Sequence, residues 1–161
     1  MPQQNTARRD ALMAELHGEA RRSMAAYALF NQAVADRLRL HPTDVQCLNL
    51  LSLEQEPVTI GRVAELTGLT TGSATRLVDR LERAGYVRRE RDAEDRRRVM
   101  VAAVPERMAE LGAFWRRLNG TWGDLFGDYS DAELALLTTH MRRTVERSAR
   151  QIERLRSGEF D

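Results

Sequence analysis

No lysine occurs in this chain; all 25 of its basic residues are arginine. Cysteine is almost as scarce. The single Cys47 rules out an intrachain disulfide and suits a reducing compartment. His17, His41 and His140 are scattered, and no HxxxH or CxxC spacing offers a second ligand, so no metal site is expected. There is no glycine-rich phosphate loop and no pairing of a nucleophile with a base. The chain is therefore read as neither an enzyme nor the holder of a cofactor. Uncharged stretches fall well short of the roughly 20 apolar residues that cross a bilayer, which excludes a membrane partner. The opening MPQQNTARRDALMAELHGEA lacks the apolar run of a secretory signal, so the expected location is cytoplasmic.

What is present fits a folded protein of ordinary domain size. The 161 residues are 42% hydrophobic and 30% charged, enough apolar side chains for a real core. Net charge is +1, so bulk charge says nothing about partners. Its distribution says more. Residues 76–98 hold nine arginines against six acids, a local excess of +3. Three of those arginines are consecutive, Arg96, Arg97 and Arg98, within RRERDAEDRRRVMVAAV at 88–104. The strand-forming run after Val99, the valine at 87 and the polar tip between them predict a hairpin.

Periodicity organises the rest. Leu12, Leu16, Ala20, Met24, Tyr27, Phe30, Val34 and Leu38 recur three or four apart, as on one helix face. LRLHPTD ends that helix, because the residue before Pro42 disfavours helical backbone. Val45, Leu48 and Leu51 mark a second helix to about Glu54, EPVTI a short extended piece, and Val63, Ala64 and Leu66 a brief third helix stopping at Gly68. Thr70 is placed to cap a fourth helix, TGSATRLVDRLERAG, with Ala74, Leu77, Val78 and Leu81 on one face and Arg76, Arg80 and Arg83 on another. Gly85 ends it, and the hairpin follows.

Pro105 fits the first turn of a fifth helix. Met108, Leu111, Trp115, Leu118, Trp122 and Leu125 then form a heptad-like stripe, with the two tryptophans as core or interface anchors. SDAE at 130–133 is a capping box for a sixth helix, striped by Leu134, Leu137, Met141, Val145, Ile152 and Leu155. The far end of that helix has too few apolar residues to pack alone, so the long helices are expected to bury their stripes against a second chain.

A short helix, a turn, a capped helix with an arginine face and a basic hairpin make a winged helix-turn-helix. A helix entering the major groove needs small or hydrogen-bonding residues at its start. Thr71, Gly72, Ser73, Thr75 and Arg76 meet that need, and Arg76 can fork onto a guanine edge. Arg80, one turn on, suits phosphate or an acid. A wing tip at the narrow minor groove explains the arginines, and Asp95 would either hold a guanidinium or tie the wing to the helix.

The stretch VAELTGLTTGSATRLVDRLERAGYVRRERDAEDRRRVMVAAV, residues 63–104, resembles the MarR family of dimeric bacterial transcription factors, and the likeness runs from about 20 to 155. RLVDRLERAGYVRRERDAEDRR at 76–97 is its most specific part. The resemblance implies a mainly α fold with a small β wing, a winged helix-turn-helix core flanked by N- and C-terminal dimerisation helices. It divides the chain into an N-terminal dimerisation helix (8–40), a DNA-binding region (42–104) and C-terminal dimerisation helices (105–156), all in one intertwined domain. It implies double-stranded DNA as partner, a homodimer, a repressor on a pseudo-palindromic operator, and a small aromatic or phenolic effector whose pocket the motifs do not place. The family's aspartate–any–arginine triplet falls on Asp95, Arg96 and Arg97, implying Arg97 as minor-groove residue and Asp95 as its partner. AVPERMAEL replaces the family's usual Leu-Thr and glycine after the wing. The competing reading is a winged-helix module that binds protein through the same surface.

Overall fold

A computed structural model describes residues 2–92, 95–118 and 122–159, with the side chains of 2–5 and 122–124 outside the description. The order is α1 (Pro2–Leu38), α2 (Pro42–Leu51), β1 (Val58–Thr59), α3 (Ile60–Thr67), α4 (Thr71–Arg83), β2 (Val87–Arg91), β3 (Val99–Ala103), α5 (Pro105–Leu118), α6 (Trp122–Gly127) and α7 (Asp131–Arg156). The fold is mainly helical with a small antiparallel sheet in the order β1-β3-β2, as a winged helix requires. Residues 1–110 and 111–161 form two separate compact units.

Local chemistry sets the element ends. His41, in extended backbone, caps α2, and Asp44 returns the bond to the His41 amide. Pro42 takes the first helical position, where its missing N–H costs nothing. Thr59 caps α3 by accepting from the Arg62 amide at 3.1 Å, so α3 begins at Ile60, three residues before the first apolar residue of the expected helix. Gly68 ends it at φ 70°, and Gly85 follows α4 at φ 77°, both in the left-handed region that glycine enters without strain. α2 stops at Leu51 rather than near Glu54; the Ser52 hydroxyl donates to the Asn49 carbonyl at its end.

The core of the first unit lies where α2, α3, α4 and the sheet meet. Val45, Leu48, Val63, Leu77, Val78, Leu81, Val87 and Val101 are all within 2% of full burial. Burying a side chain of this size stabilises by about 1.5–3 kcal/mol, which fixes α4 against α2 and the wing. From the far end of α1 only Val34 and Ala35 join this core. Leu12, Leu16, Met24 and Tyr27, on the stripe read from the sequence, are more than half exposed in the single chain.

In the second unit α7 has no buried residue, and Met141, Val145 and Leu155 are exposed. The Ser130–Glu133 capping box is present, with the Ser130 amide donating to Glu133 at 2.8 Å. The Ser130 hydroxyl and amide hold the Glu133 carboxyl below its usual range. The expected stripe from Met108 to Leu125 falls on two helices, α5 and α6, separated by residues 119–121, which lie outside the described residues.

Candidate nucleic-acid interface

Four residues at the start of α4 and its cap form one hydroxyl-rich turn. The Thr70 side chain accepts from the Ser73 amide at 3.3 Å, which satisfies one orphan donor of the helix start. Its hydroxyl also donates to Ser73 Oγ, and Ser73 Oγ accepts from Arg76 Nη2 at 3.3 Å. Thr75 donates back to the Thr71 carbonyl at 2.9 Å. Thr71, Gly72 and Arg76 are exposed, Ser73 and Thr75 half-buried. A Cβ built on Gly72 would meet nothing within 4 Å. The fold therefore has no steric need for glycine there, although a helical glycine costs roughly 0.5–1 kcal/mol against alanine. Any need for a bare backbone comes from what approaches this turn.

Arg80 differs from its neighbours. Its Nε reaches Asp44 Oδ2 at 3.0 Å and its Nη2 reaches Asp44 Oδ1 at 2.5 Å, a two-pronged bond onto a carboxylate only 1% exposed. The side-chain bonds to Asp44 raise its already high pKa further. Of the two partners the sequence allowed Arg80, a phosphate or an acid, its fork takes the acid inside the protein, joining α4 to the first turn of α2.

The acids of α4 are committed too. Arg89 of β2 donates Nη2 to Asp79 Oδ1 at 2.6 Å and Nη1 to Glu82 Oε2, while its backbone N–H reaches Glu82 Oε1 at 2.9 Å. These two acids do not pair with Arg76 or Arg83 along the helix; they clamp the wing to α4. Arg89→Ala is expected to cost about 1–2 kcal/mol, because the partners are partly solvated and screened. A urea melt of the variant checks it, and a loss below about 0.5 kcal/mol would mean the clamp holds little.

At the wing tip the Asp95 carboxylate takes the Arg97 backbone N–H at 3.0 Å, and the Asp95 amide donates to Asp92 at 3.1 Å. The Asp95 carbonyl accepts from the Arg98 amide at 2.9 Å. Sequence reasoning gave Asp95 the guanidinium of Arg97 or a tie to α4. The carboxylate shapes the turn through the backbone instead, and the tie to α4 belongs to Arg89. Arg98 lies 3.8 Å from Asp92. Arg91, Arg96 and Arg97 are exposed, and their guanidinium groups have no partner among the described residues.

Two residues that matter here went unremarked in the sequence: Asp44 and Arg89. Asp44 had a readable signal, since it stands three residues after His41, at capping-box spacing. Arg89 had none, being one arginine among nine.

Cys47 is fully buried in α2, and burial, aided by the nearby Asp44 carboxylate, pushes its thiol up to about 12. The raised value means that folding favours the neutral thiol. Its contribution is complete below the ordinary 9.0 and is lost as pH climbs toward 12. At pH 8 the folded protein is expected to react with a thiol reagent such as DTNB only as fast as it unfolds. Rapid labelling without denaturant would contradict this.

Groups of three or more His, Cys, Asp or Glu placed to hold a metal are absent among the described residues, and no described helix is long and apolar enough to cross a membrane.

The model of the MarR family matches residues 40–98, which span α2 to the wing tip. The chain is 40% identical over 128 residues to YcgE, an HTH-type transcriptional regulator of Bacillus subtilis (strain 168), covering 80% of this chain and 82% of that protein. Its fold is similar to the crystal structure of MarR at 27% identity, with a TM-score of 0.56 over 84% of this chain and 98% of that one. A MarR family protein from Bacillus stearothermophilus shares the fold at 21% identity, TM-score 0.65, over 87% and 97% of the two chains.

Proposed function

The chain belongs to the MarR family, and from that premise we propose that it is a transcriptional regulator acting as a homodimeric repressor on a pseudo-palindromic operator. One observation carries the reading. The half-buried Arg80 and Arg89 are held by Asp44, Asp79 and Glu82, while the unpartnered Arg91, Arg96 and Arg97 collect on the wing. These acids fix the two DNA-facing elements, and solvent-facing cations are left for phosphates and grooves. Thr71, Gly72, Ser73, Thr75 and Arg76 would face the major groove, with Arg76 forking onto guanine. Arg97 would enter the minor groove, flanked by Arg96 and Arg98, with Asp95 fixing the turn that carries them. Arg80 would act from within, by setting the angle of α4.

The exposed stripes of α1 and α7 support a homodimer, because apolar residues this numerous need a cover that the single chain does not supply. Two winged units would then meet half-sites about 34 Å apart. A groove of about 380 Å³ between α1 and α2, lined by Tyr27, Ala28, Asn31, Gln46, Asn49 and Leu50, supports modulation by a small aromatic ligand. Its amide side chains and phenol could satisfy a polar ring without a charged partner.

The test is fluorescence anisotropy of the protein on its own upstream DNA and on a scrambled duplex, across salt concentrations. A regulator binds the upstream DNA far more tightly and loses affinity steeply with salt. Absence of binding to either duplex at low salt would end the proposal. Gly72→Ala gives a second, opposed signature. It is expected to stabilise the free protein by about 0.5–1 kcal/mol and to weaken operator binding several-fold, because the methyl stands where the DNA backbone must approach. Unchanged binding would remove Gly72 from the interface.

A further inference from the structure

The C-terminal part of α7 carries a second basic surface. Residues 140–156 hold six arginines against two glutamates, a net of +4. Arg143, Arg147, Arg150 and Arg154 follow i, i+4, i+7 and i+11, which puts them in one row about 16 Å long. The row lies nearly opposite the face bearing Met141, Val145, Ile152 and Leu155, so a cover over the apolar side would leave the arginines outward.

A charged helix face is usually a solvated one, neutralised by neighbours three or four residues away. This chain forms such pairs elsewhere: Glu19 with Arg22, Arg62 with Glu65, and Arg107 with Glu110. On α7 the same spacings recur, Arg143 with Glu146, Glu146 with Arg150, and Arg150 with Glu153. No ion pair forms at any of them. Arg142, Arg143, Arg147 and Arg150 are exposed, with no partner for their guanidinium groups among the described residues. Of the row only Arg154 is held, by Glu159 at 2.8 Å.

We propose that this arginine face of α7 is a second, sequence-independent contact for the phosphates of duplex DNA, separate from the winged unit. A straight row of forks, separated by about 4.5–6 Å along the axis, suits a repeating line of phosphates, and arginine grips phosphate with two prongs. An anionic membrane fits less well. A helix lying on lipid must bury its apolar face there, and on α7 that face is the one the proposed dimer covers. Such a surface would let one molecule hold flanking DNA or a second duplex without reading sequence.

The test uses the full-length protein and a scrambled 40-base-pair duplex. Binding is measured against salt for the wild type, for Arg143→Gln/Arg147→Gln/Arg150→Gln, and for the same three positions changed to lysine. Glutamine keeps helix propensity, and circular dichroism verifies the fold of each variant. The glutamine variant is expected to show a salt slope shallower by about 2–3, with the lysine variant near wild type. An unchanged slope in a folded glutamine variant overturns the proposal. So does an equal loss in the lysine variant, which would point to packing rather than charge. Loss of binding to anionic vesicles with the DNA slope intact would overturn it in favour of a membrane surface.

Discussion

Arg80→Ala is expected to destabilise the protein by about 2–4 kcal/mol, more than any other single change in the winged unit outside its apolar core. Asp44 is 1% exposed, so removing Arg80 strands a carboxylate that cannot reach bulk water. The converse change, Asp44→Ala, frees a guanidinium whose side chain is already 39% exposed and can turn outward. Its cost is the lost α2 cap and the lost bonds to Arg80, about 2 kcal/mol. The asymmetry gives a sharp check. The double variant, lacking both charges, should be more stable than Arg80→Ala alone. Thermal melts would read the difference as about 2–4 °C per kcal/mol for a chain of this size. Arg80→Ala melting like the wild type would show the pair to be ornamental. Loss of DNA binding in Arg80→Ala should follow the loss of folded protein, as a positioning residue requires.

Arg97→Ala should behave in the opposite way. Its guanidinium makes no hydrogen bond or ion pair among the described residues, and its backbone N–H, which donates to Asp95, survives the substitution. Stability is therefore expected to stay within about 0.5 kcal/mol of wild type. Operator affinity should fall about 10- to 100-fold, the effect of losing one groove contact of 1–3 kcal/mol. Arg97→Lys should recover only part of it, since a compact ammonium keeps the charge but not the planar fork. Wild-type affinity in a folded Arg97→Ala protein would remove the wing tip from the interface. Asp95→Ala is a useful companion: it leaves every arginine in place and loosens the turn that presents Arg97.

Much of this was legible in the sequence because it is local. Pro42, Gly68, Thr70, Gly85 and the SDAE box each act on backbone within four residues, and each marks an element end where it was read. The apolar alternations located the core faces of α2, α3 and α4 for the same reason: helix period is a property of neighbouring residues. The order of helix, turn, capped helix and hairpin then identified the winged architecture without reference to contacts.

Tertiary structure decided the use of the charges. Along residues 76–98 every arginine has an acid within reach in sequence, so spacing alone assigns no pairs. Packing of α2 under α4 brings Asp44 to Arg80 across 36 positions, and the turn at Gly85 folds β2 back so that Arg89 meets Asp79 and Glu82. An ion pair depends on distance and desolvation, and both are set by elements that come together only in the fold. The chain's own order therefore determined where a DNA-binding unit would lie, while the packed structure decided which arginines brace it and which remain outward.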